Sequence, residues 1–259
     1  MESHQAKKSL GQNFLMHAQT AKRIAQVAGI EGKTVLEVGP GTGMLTRALL
    51  THASKVIAIE ADADLIPQLQ KEFDIEIRTQ KLDLIHADIR EFDPSILNGS
   101  YAVVANIPYY ITGEIIRKFL TTDHKPVSMT LLVQKEVAVR IAREKKGSVL
   151  SLSVKAYGVP SYEFTVPRGA FIPAPNVDSA VLSIRNITSP WSTTTEEKRF
   201  FEVLKAGFAH KRKFLVRNLE EVAPRERIVR VFKELSLSEK TRAEELSRET
   251  WLALSTALS

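Results

Sequence analysis

Residues 35–46 read "VLEVGPGTGMLT". An apolar run, a turn with three glycines and an apolar continuation describe a strand, a tight turn and a helix start. Gly39, Gly41 and Gly43 let the backbone bend sharply and approach a ligand with no side chain in between. A glycine-rich strand–helix junction with no ligand is the plain alternative. The segments that follow must decide.

They repeat the same rhythm. "TVLEVG" (34–39), "KVIAIE" (55–60), "KLDLIHAD" (81–88), "YAVVAN" (101–106) and "MTLLVQ" (129–134) are apolar bursts. Between them "MLTRALLTH", "ADLIPQLQKEF" and "GEIIRKFLTT" space apolar residues three and four apart, as amphipathic helices do. Alternation of this kind predicts an α/β domain with a parallel sheet covered by helices on both faces. "KEVAVRIAREK" (135–145) continues it, and "SLSVKAYG" reads as helix. "YEFTV" and "VDSAVLSIR" alternate apolar and polar residues around "PRGAFIPAPN", which predicts an antiparallel pair at the sheet edge. At "ITSPWSTTTEE" (187–197) a Ser/Thr/Pro-rich stretch leads into a helix start, and everything beyond is helical. The expected organisation is a first domain over 1–187 and a small all-helical domain over 188–259.

Composition narrows the class. Charged residues are 25% and hydrophobic ones 44% of the 259, so the chain is globular and not disordered. A net charge of +6 is compatible with a polyanionic partner without demanding one. The absence of cysteine excludes disulfides, thiolate metal sites and a cysteine nucleophile, and it suits a reducing compartment. The opening "MESHQAKKSLGQNFL" lacks the apolar core of a secretion signal. The longest apolar run, Tyr101–Ala105, falls far short of the roughly 18 residues a membrane span needs. The expectation is a soluble, cytoplasmic monomer without a membrane partner. Histidines 4, 17, 52, 86, 124 and 210 show no ligand spacing, so no catalytic metal is expected, and His86 reads as a structural histidine in the third strand.

Glu60 closes the second burst 21 residues after Gly39, where an acidic side chain reaches a ribose hydroxyl in such sheets. Asp88 closes the third, where it can meet an adenine edge, and Asn106 closes the fourth. All would share the rim on which open α/β sheets bind ligands. Met44 stands where a dinucleotide fingerprint wants Gly or Ala, and no Lys follows the loop as a P-loop requires. A nucleoside without phosphates fits better, and S-adenosylmethionine is one.

"ANIPYYIT" (105–112) then replaces the ordinary polar turn after the fourth burst with an amide, a proline and two tyrosines. With this segment the chain resembles the ribosomal RNA adenine N6,N6-dimethyltransferases. The resemblance runs in order through "KKSLGQNFL" (7–15), "EVGPGTG", "IEAD", "HADIREF", "NIPYYIT", "LLVQKEVAVRI", "GAFIPAPNVDSAV" and "GFAHKRKFLVRNL", covering nearly all of 7–219. It implies a Rossmann-like class I methyltransferase sheet with a helical RNA-binding domain. The implied reaction is dimethylation of two adjacent adenosines in a 3′-terminal hairpin of small-subunit RNA, within a pre-30S particle, with S-adenosylmethionine as donor.

An adenine amine is a poor nucleophile because its lone pair is delocalised into the ring. On the resemblance, the amide of Asn106 and a carbonyl of Ile107 or Pro108 accept its hydrogens, Pro108 stiffens the loop, and Tyr109 stacks on the base. Phe171 is expected to face Tyr109 across that base, and Asn13 and Leu15 to close over the cofactor with Gly39, Gly41, Glu60 and Asp88. Tyr110 reads equally well as a structural residue. The family usually carries a second proline at Ala174, a lysine at Asn176 and a small hydroxyl residue at Phe214; these departures bear on RNA contacts.

Between Lys198 and Arg217 seven cations face one anion, Glu202, for 7 − 1 = +6. Lys211, Arg212 and Lys213 at its centre are the expected phosphate contacts. Two other readings compete with small-subunit dimethylation. One is a ribosome-assembly factor whose methylation is incidental; the other is a large-subunit adenine methyltransferase of the resistance type.

Overall fold

Seven strands hydrogen-bond into one sheet, and the order in which the chain visits them places a crevice. In the computed structural model, which describes residues 6–7 and 10–259, two compact units are distinguished. One comprises residues up to Ala142 together with Val159–Ile187, the other Arg143–Gly158 with Thr188–Ser259.

The first unit begins with β1 (Phe14–Leu15), α1 (Ala18–Ala28), β2 (Thr34–Val38), α2 (Met44–Leu49) and β3 (Lys55–Glu60). It continues with α3 (Ile66–Glu72), α4 (Asp74–Arg78), β4 (Leu82–His86), β5 (Tyr101–Asn106), α5 (Thr112–Thr121), β6 (Ser128–Gln134) and α6 (Lys135–Ala142). The second unit contributes α7 (Val149–Tyr157) before the chain returns for β7 (Val159–Val166), β8 (Phe171–Ile172) and β9 (Ser179–Arg185).

The sheet order is β4-β3-β2-β5-β6-β9-β7. Its first five strands are parallel, while β9 runs antiparallel to both β6 and β7. From β2 the chain steps outward through β3 to β4, then returns to place β5 on the other side of β2. That reversal is a topological switch point, and ligands of open α/β sheets bind beyond the strand ends there.

The elements follow from their residues. β5 is buried from Tyr101 to Ala105, and Ile and Val dominate the other central strands, where both faces are covered. Fully burying one such side chain contributes about 1.5–3 kcal/mol over leaving it in water. In α5, Thr112, Ile115, Ile116, Phe119 and Leu120 form the buried stripe that the spacing predicted. α1 stops at Gly29, whose left-handed backbone (φ 57°) only glycine adopts freely.

Three details differ from the sequence reading. β4 ends at His86, so Asp88 lies in the turn beyond the strand. His86 itself is exposed at the edge of the sheet, without a side-chain hydrogen bond among the described residues; an edge strand has a neighbour on one side only. α4, over "DIEIR", and the two-residue pairing of β1 with β8 are too short to show a period.

The second unit adds α8 (Thr194–Gly207), α9 (Leu215–Asn218), α10 (Arg225–Glu234) and α11 (Arg248–Ala257). Thr193 caps α8 by accepting the Glu196 N–H at 3.2 Å, and the Glu196 carboxylate accepts the Thr193 N–H in return. Trp251 lies fully buried against Gly207, where an added Cβ would come within 2.4 Å of the indole. A boundary at 187/188 alone leaves α7 in the first domain. Instead its buried Tyr157 packs on Trp191 and Phe201 and bonds the Glu197 carboxylate, which joins 143–158 to the helical unit. Among the described residues no helix is long and apolar enough to cross a membrane.

Candidate active site

The register carries the strand ends of the first unit to one rim. Val38 pairs with both Ile59 and Ala105, so the next residues, Gly39, Glu60 and Asn106, stand side by side. A cavity beyond them is lined by Asn13, Leu15, Gly39, Gly41, Glu60, Asp88, Asn106, Pro108 and Tyr109. Those residues come from five separate stretches of chain.

The glycine turn is shaped by close approach. Gly41 has φ 59°, and a Cβ there would meet the Phe14 ring at 2.9 Å. Its N–H donates to one carboxylate oxygen of Glu60 (3.0 Å), while the other oxygen accepts the Asp62 N–H (2.8 Å). Burial pushes the Glu60 pKa up, and these backbone donors work against the shift. A carboxylate has about four lone-pair sites, so two backbone bonds leave room for hydroxyls. Those remaining sites are acceptors, which is what the hydroxyls of a ribose diol require.

Two residues before Gly39, Glu37 is fully buried in β2, and neither its oxygens nor the Thr46 hydroxyl nearby closes a hydrogen bond. Burial pushes its pKa up to about 8; proximity to Thr46 tempers the shift and the Glu60 charge adds to it. Asp88 is the opposite case. Arg90 reaches both its oxygens, with the shortest contact at 2.6 Å, and holds its pKa below the usual range.

A polar arm closes the crevice from the N-terminal side. Asp62, which sequence reasoning did not single out, takes Lys7 Nζ at 2.6 Å and Gln12 Nε2 at 2.8 Å. Burial opposes its ionisation, but the bonds from Lys7, Gln12 and the Asp64 N–H prevail and hold its pKa at about 2. The Asn13 carbonyl, further along the same arm, accepts a hydrogen bond from Asn106 Nδ2 at 2.9 Å. A carbonyl is only an acceptor, so the Asn106 amide must present its NH₂ there. Its Oδ1 then has no protein partner among the described residues.

The turn after Asn106 is equally held. The Pro108 carbonyl accepts the Ile111 N–H (3.1 Å), closing a short 3₁₀ turn over Tyr109–Ile111. Tyr109 is half-buried, and its hydroxyl sits 2.6 Å from the Ser179 hydroxyl. Ser179 is buried at the head of β9, in register with Gln134 and Val166, so it is fixed from both sides. Burial raises the Tyr109 pKa, and the Ser179 bond partly offsets it. Tyr110 is 62% exposed and lies over Gly11, where a Cβ would be 2.9 Å from its ring.

Phe171 lies beside the arm. It is 2% exposed, pairs with the cavity-lining Leu15 across the β1–β8 ladder and joins the apolar cluster, and it is not itself among the lining residues. The strand pleat explains this: Phe171 points inward and its neighbour Ile172, at 60% exposure, points outward.

In the second unit Lys211, Arg212 and Lys213 are all exposed, in the loop between α8 and α9. Arg242 Nη1 donates to the carbonyls of Lys211 and Arg212, each at 3.2 Å. Arg199, counted in the basic run, turns inward: it pairs with Glu202 and donates to the carbonyls of Val222 and Leu258.

An open sheet with a glycine turn, a second-strand carboxylate and an Asn-Ile-Pro-Tyr turn around one cavity is the architecture of a class I methyltransferase. Within that class the chain belongs to the ribosomal RNA adenine dimethylase family, whose model matches residues 3–259. It is 39% identical over 97% of its length to the ribosomal RNA small subunit methyltransferase A of a Geobacillus species, covering 91% of that protein. The enzyme of the same name from Enterococcus faecalis is also 39% identical, with 97% and 90% of the two chains covered. Among solved structures, a dimethyladenosine transferase from Plasmodium falciparum superposes with a TM-score of 0.81 at 26% identity, covering 93% of this chain and 95% of that one. The 23S rRNA methyltransferase ErmE gives 0.77 at 26% identity, covering 95% and 99%.

Proposed function

We propose that this chain dimethylates N6 of two adjacent adenosines in a 3′-terminal hairpin of small-subunit ribosomal RNA, within an immature small-subunit particle. The observation that carries the reading is the pinned Asn106 amide, its oxygen without a protein partner among the described residues, on a cavity that Tyr109 also lines. S-adenosylmethionine, when bound, supplies the methyl group on a cationic sulfur. Glu60 is assigned the ribose hydroxyls and Asp88 the adenine edge; for that, Asp88 must share or release Arg90. Asn13 and Leu15 line the same cavity from the arm.

Asn106 Oδ1 and a backbone carbonyl take the two hydrogens of the target amine, which turns its lone pair out of conjugation and toward the methyl group. The Ile107 carbonyl suits this better than that of Pro108, which already accepts the Ile111 N–H. Tyr109 offers its ring to the flipped base, anchored through Ser179. No strong base is required, because the alkylated amine is acidic enough to lose its proton to water. Catalysis is then positioning and preorganised electrostatics. Lys211, Arg212 and Lys213 are assigned to phosphates, which fix the register of the RNA.

The test is to incubate the protein and labelled donor with both ribosomal subunits lacking the modification, then map the label. N6,N6-dimethyladenosine at two neighbouring small-subunit positions is the expected result. Label in large-subunit RNA would establish the resistance-type activity instead, and binding without label would leave an assembly factor.

A further inference from the structure

Phe214 is the one large hydrophobic side chain left exposed in the helical unit, at 40%. Single exposed apolar residues are ordinary on protein surfaces. This one stands directly after Lys211, Arg212 and Lys213 and three residues before the exposed Arg217. It is also firmly placed. Its carbonyl accepts the Arg217 and Asn218 N–H groups, and the buried Asn218 side chain ties the loop's start by donating to the Gly207 and His210 carbonyls. The next N–H, of Leu215, donates to the Thr241 carbonyl at 2.8 Å.

Arg242 joins the ring to the cations. Its guanidinium lies 5.6 Å from the Phe214 ring centre, and the same group holds the Lys211 and Arg212 carbonyls. The ring keeps its exposure with that guanidinium beside it. One arginine thus sets the aromatic face and the cationic loop in a fixed relation.

We propose that Phe214 is a stacking platform for an unpaired base of the RNA whose phosphates meet Lys211–Lys213. The proposal rests on the reading of that loop as an RNA contact. The chemistry is that of proteins that hold single strands, where cations follow the backbone and an aromatic face takes a base irrespective of its identity. A double helix keeps its bases stacked on one another and has none to offer.

The test measures binding of the full chain to a mixed-sequence single-stranded RNA and to a duplex of the same sequence, across a salt series. Phe214→Ala is expected to weaken single-strand binding by about five- to a hundredfold, the range for removing one base-stacking partner. Its log K against log salt slope should equal that of the parent, because no charge is lost. Phe214→Trp should bind the single strand at least as well as the parent, and duplex binding should change in neither variant. Equal single-strand affinity of Phe214→Ala and the parent at every salt would overturn the proposal. So would an equal loss on duplex, or a flattened slope, since either means the ring only supports the cationic loop. The variant Lys211→Ala/Arg212→Ala/Lys213→Ala separates the two readings: an unchanged slope there removes the RNA contact itself, whatever Phe214 does.

Discussion

The crevice of the first unit and the basic loop of the second are both polar, yet they are built on opposite principles. In the crevice nearly every functional group is already engaged: Glu60 by two backbone N–H groups, Asp88 by Arg90, Asn106 by Asn13, Tyr109 by Ser179. In the loop the cations of Lys211, Arg212 and Lys213 stand in solvent, and what is held is their backbone. Fixed groups suit a reaction that depends on geometry to fractions of an ångström. Exposed cations suit a partner whose phosphates are recognised by charge alone.

Substitutions can break this contrast, and the largest effect is expected where geometry matters most. Asn106→Ala should lower the methyl-transfer rate by roughly 10²-fold or more, the scale for losing one preorganised polar contact. RNA affinity should stay near the parent value; single-turnover rates beside a binding curve read both. Near-normal turnover would remove the amide from the mechanism.

Glu60→Ala should weaken donor binding by about tenfold or more, as expected when hydrogen bonds to a charged group are lost. Calorimetry with S-adenosylmethionine measures this, and unchanged affinity would sink the assignment of the crevice. RNA binding should respond far less.

The triple change Lys211→Ala, Arg212→Ala and Lys213→Ala should flatten the salt slope by roughly 2, at about 0.7 for each phosphate released. Donor affinity should not move. Because Arg199 is spent on internal carbonyls, replacing it should lower stability and leave the slope nearly untouched. A slope that tracks Arg199 instead would contradict the division between braced and free cations.

Ser179→Ala is a smaller and sharper probe. It leaves Tyr109 in place but frees its hydroxyl, and should cost about two- to tenfold in turnover, the worth of one ordinary hydrogen bond. The loss should fall on the rate more than on RNA affinity, and Ser179→Thr, which restores a hydroxyl, should recover part of it.

Glu37→Gln should alter function least and the pH dependence of stability most. With a folded pKa near 8 against an ordinary 4.5, the native state holds a proton that the unfolded state has released. Stability from this group is therefore full below the ordinary value and declines as pH rises between the two. Denaturation midpoints of the Gln variant should lack that decline.

What could be read from the sequence divides along similar lines. The sheet, its parallel run and its antiparallel edge were legible because apolar periodicity is a local signal. Glu60 and Asn106 were legible because strand ends are. Lys7, Gln12 and Asp62 were not, because they meet across about fifty residues, and Asn13 meets Asn106 across 93. Nothing local marks such pairs. Phe171 is paired with Leu15 and buried by a two-residue ladder that no sequence pattern announces. Arg199 shows the limit of counting charge, since a formal cation already bound to two carbonyls has little left for a phosphate.

The bond from Asn106 to the Asn13 carbonyl also bears on timing. The arm that lines the crevice is also the partner that holds the amide, so on the proposed function covering the donor and aligning the acceptor would be one event. Every methyl group consumed leaves a spent donor to be exchanged. If the arm lifts for that exchange, Asn106 loses its orientation in the same moment and regains it only when a fresh donor is covered. The second methylation of a given adenosine would then begin from the same unset state as the first, with the arm acting as an escapement between strokes.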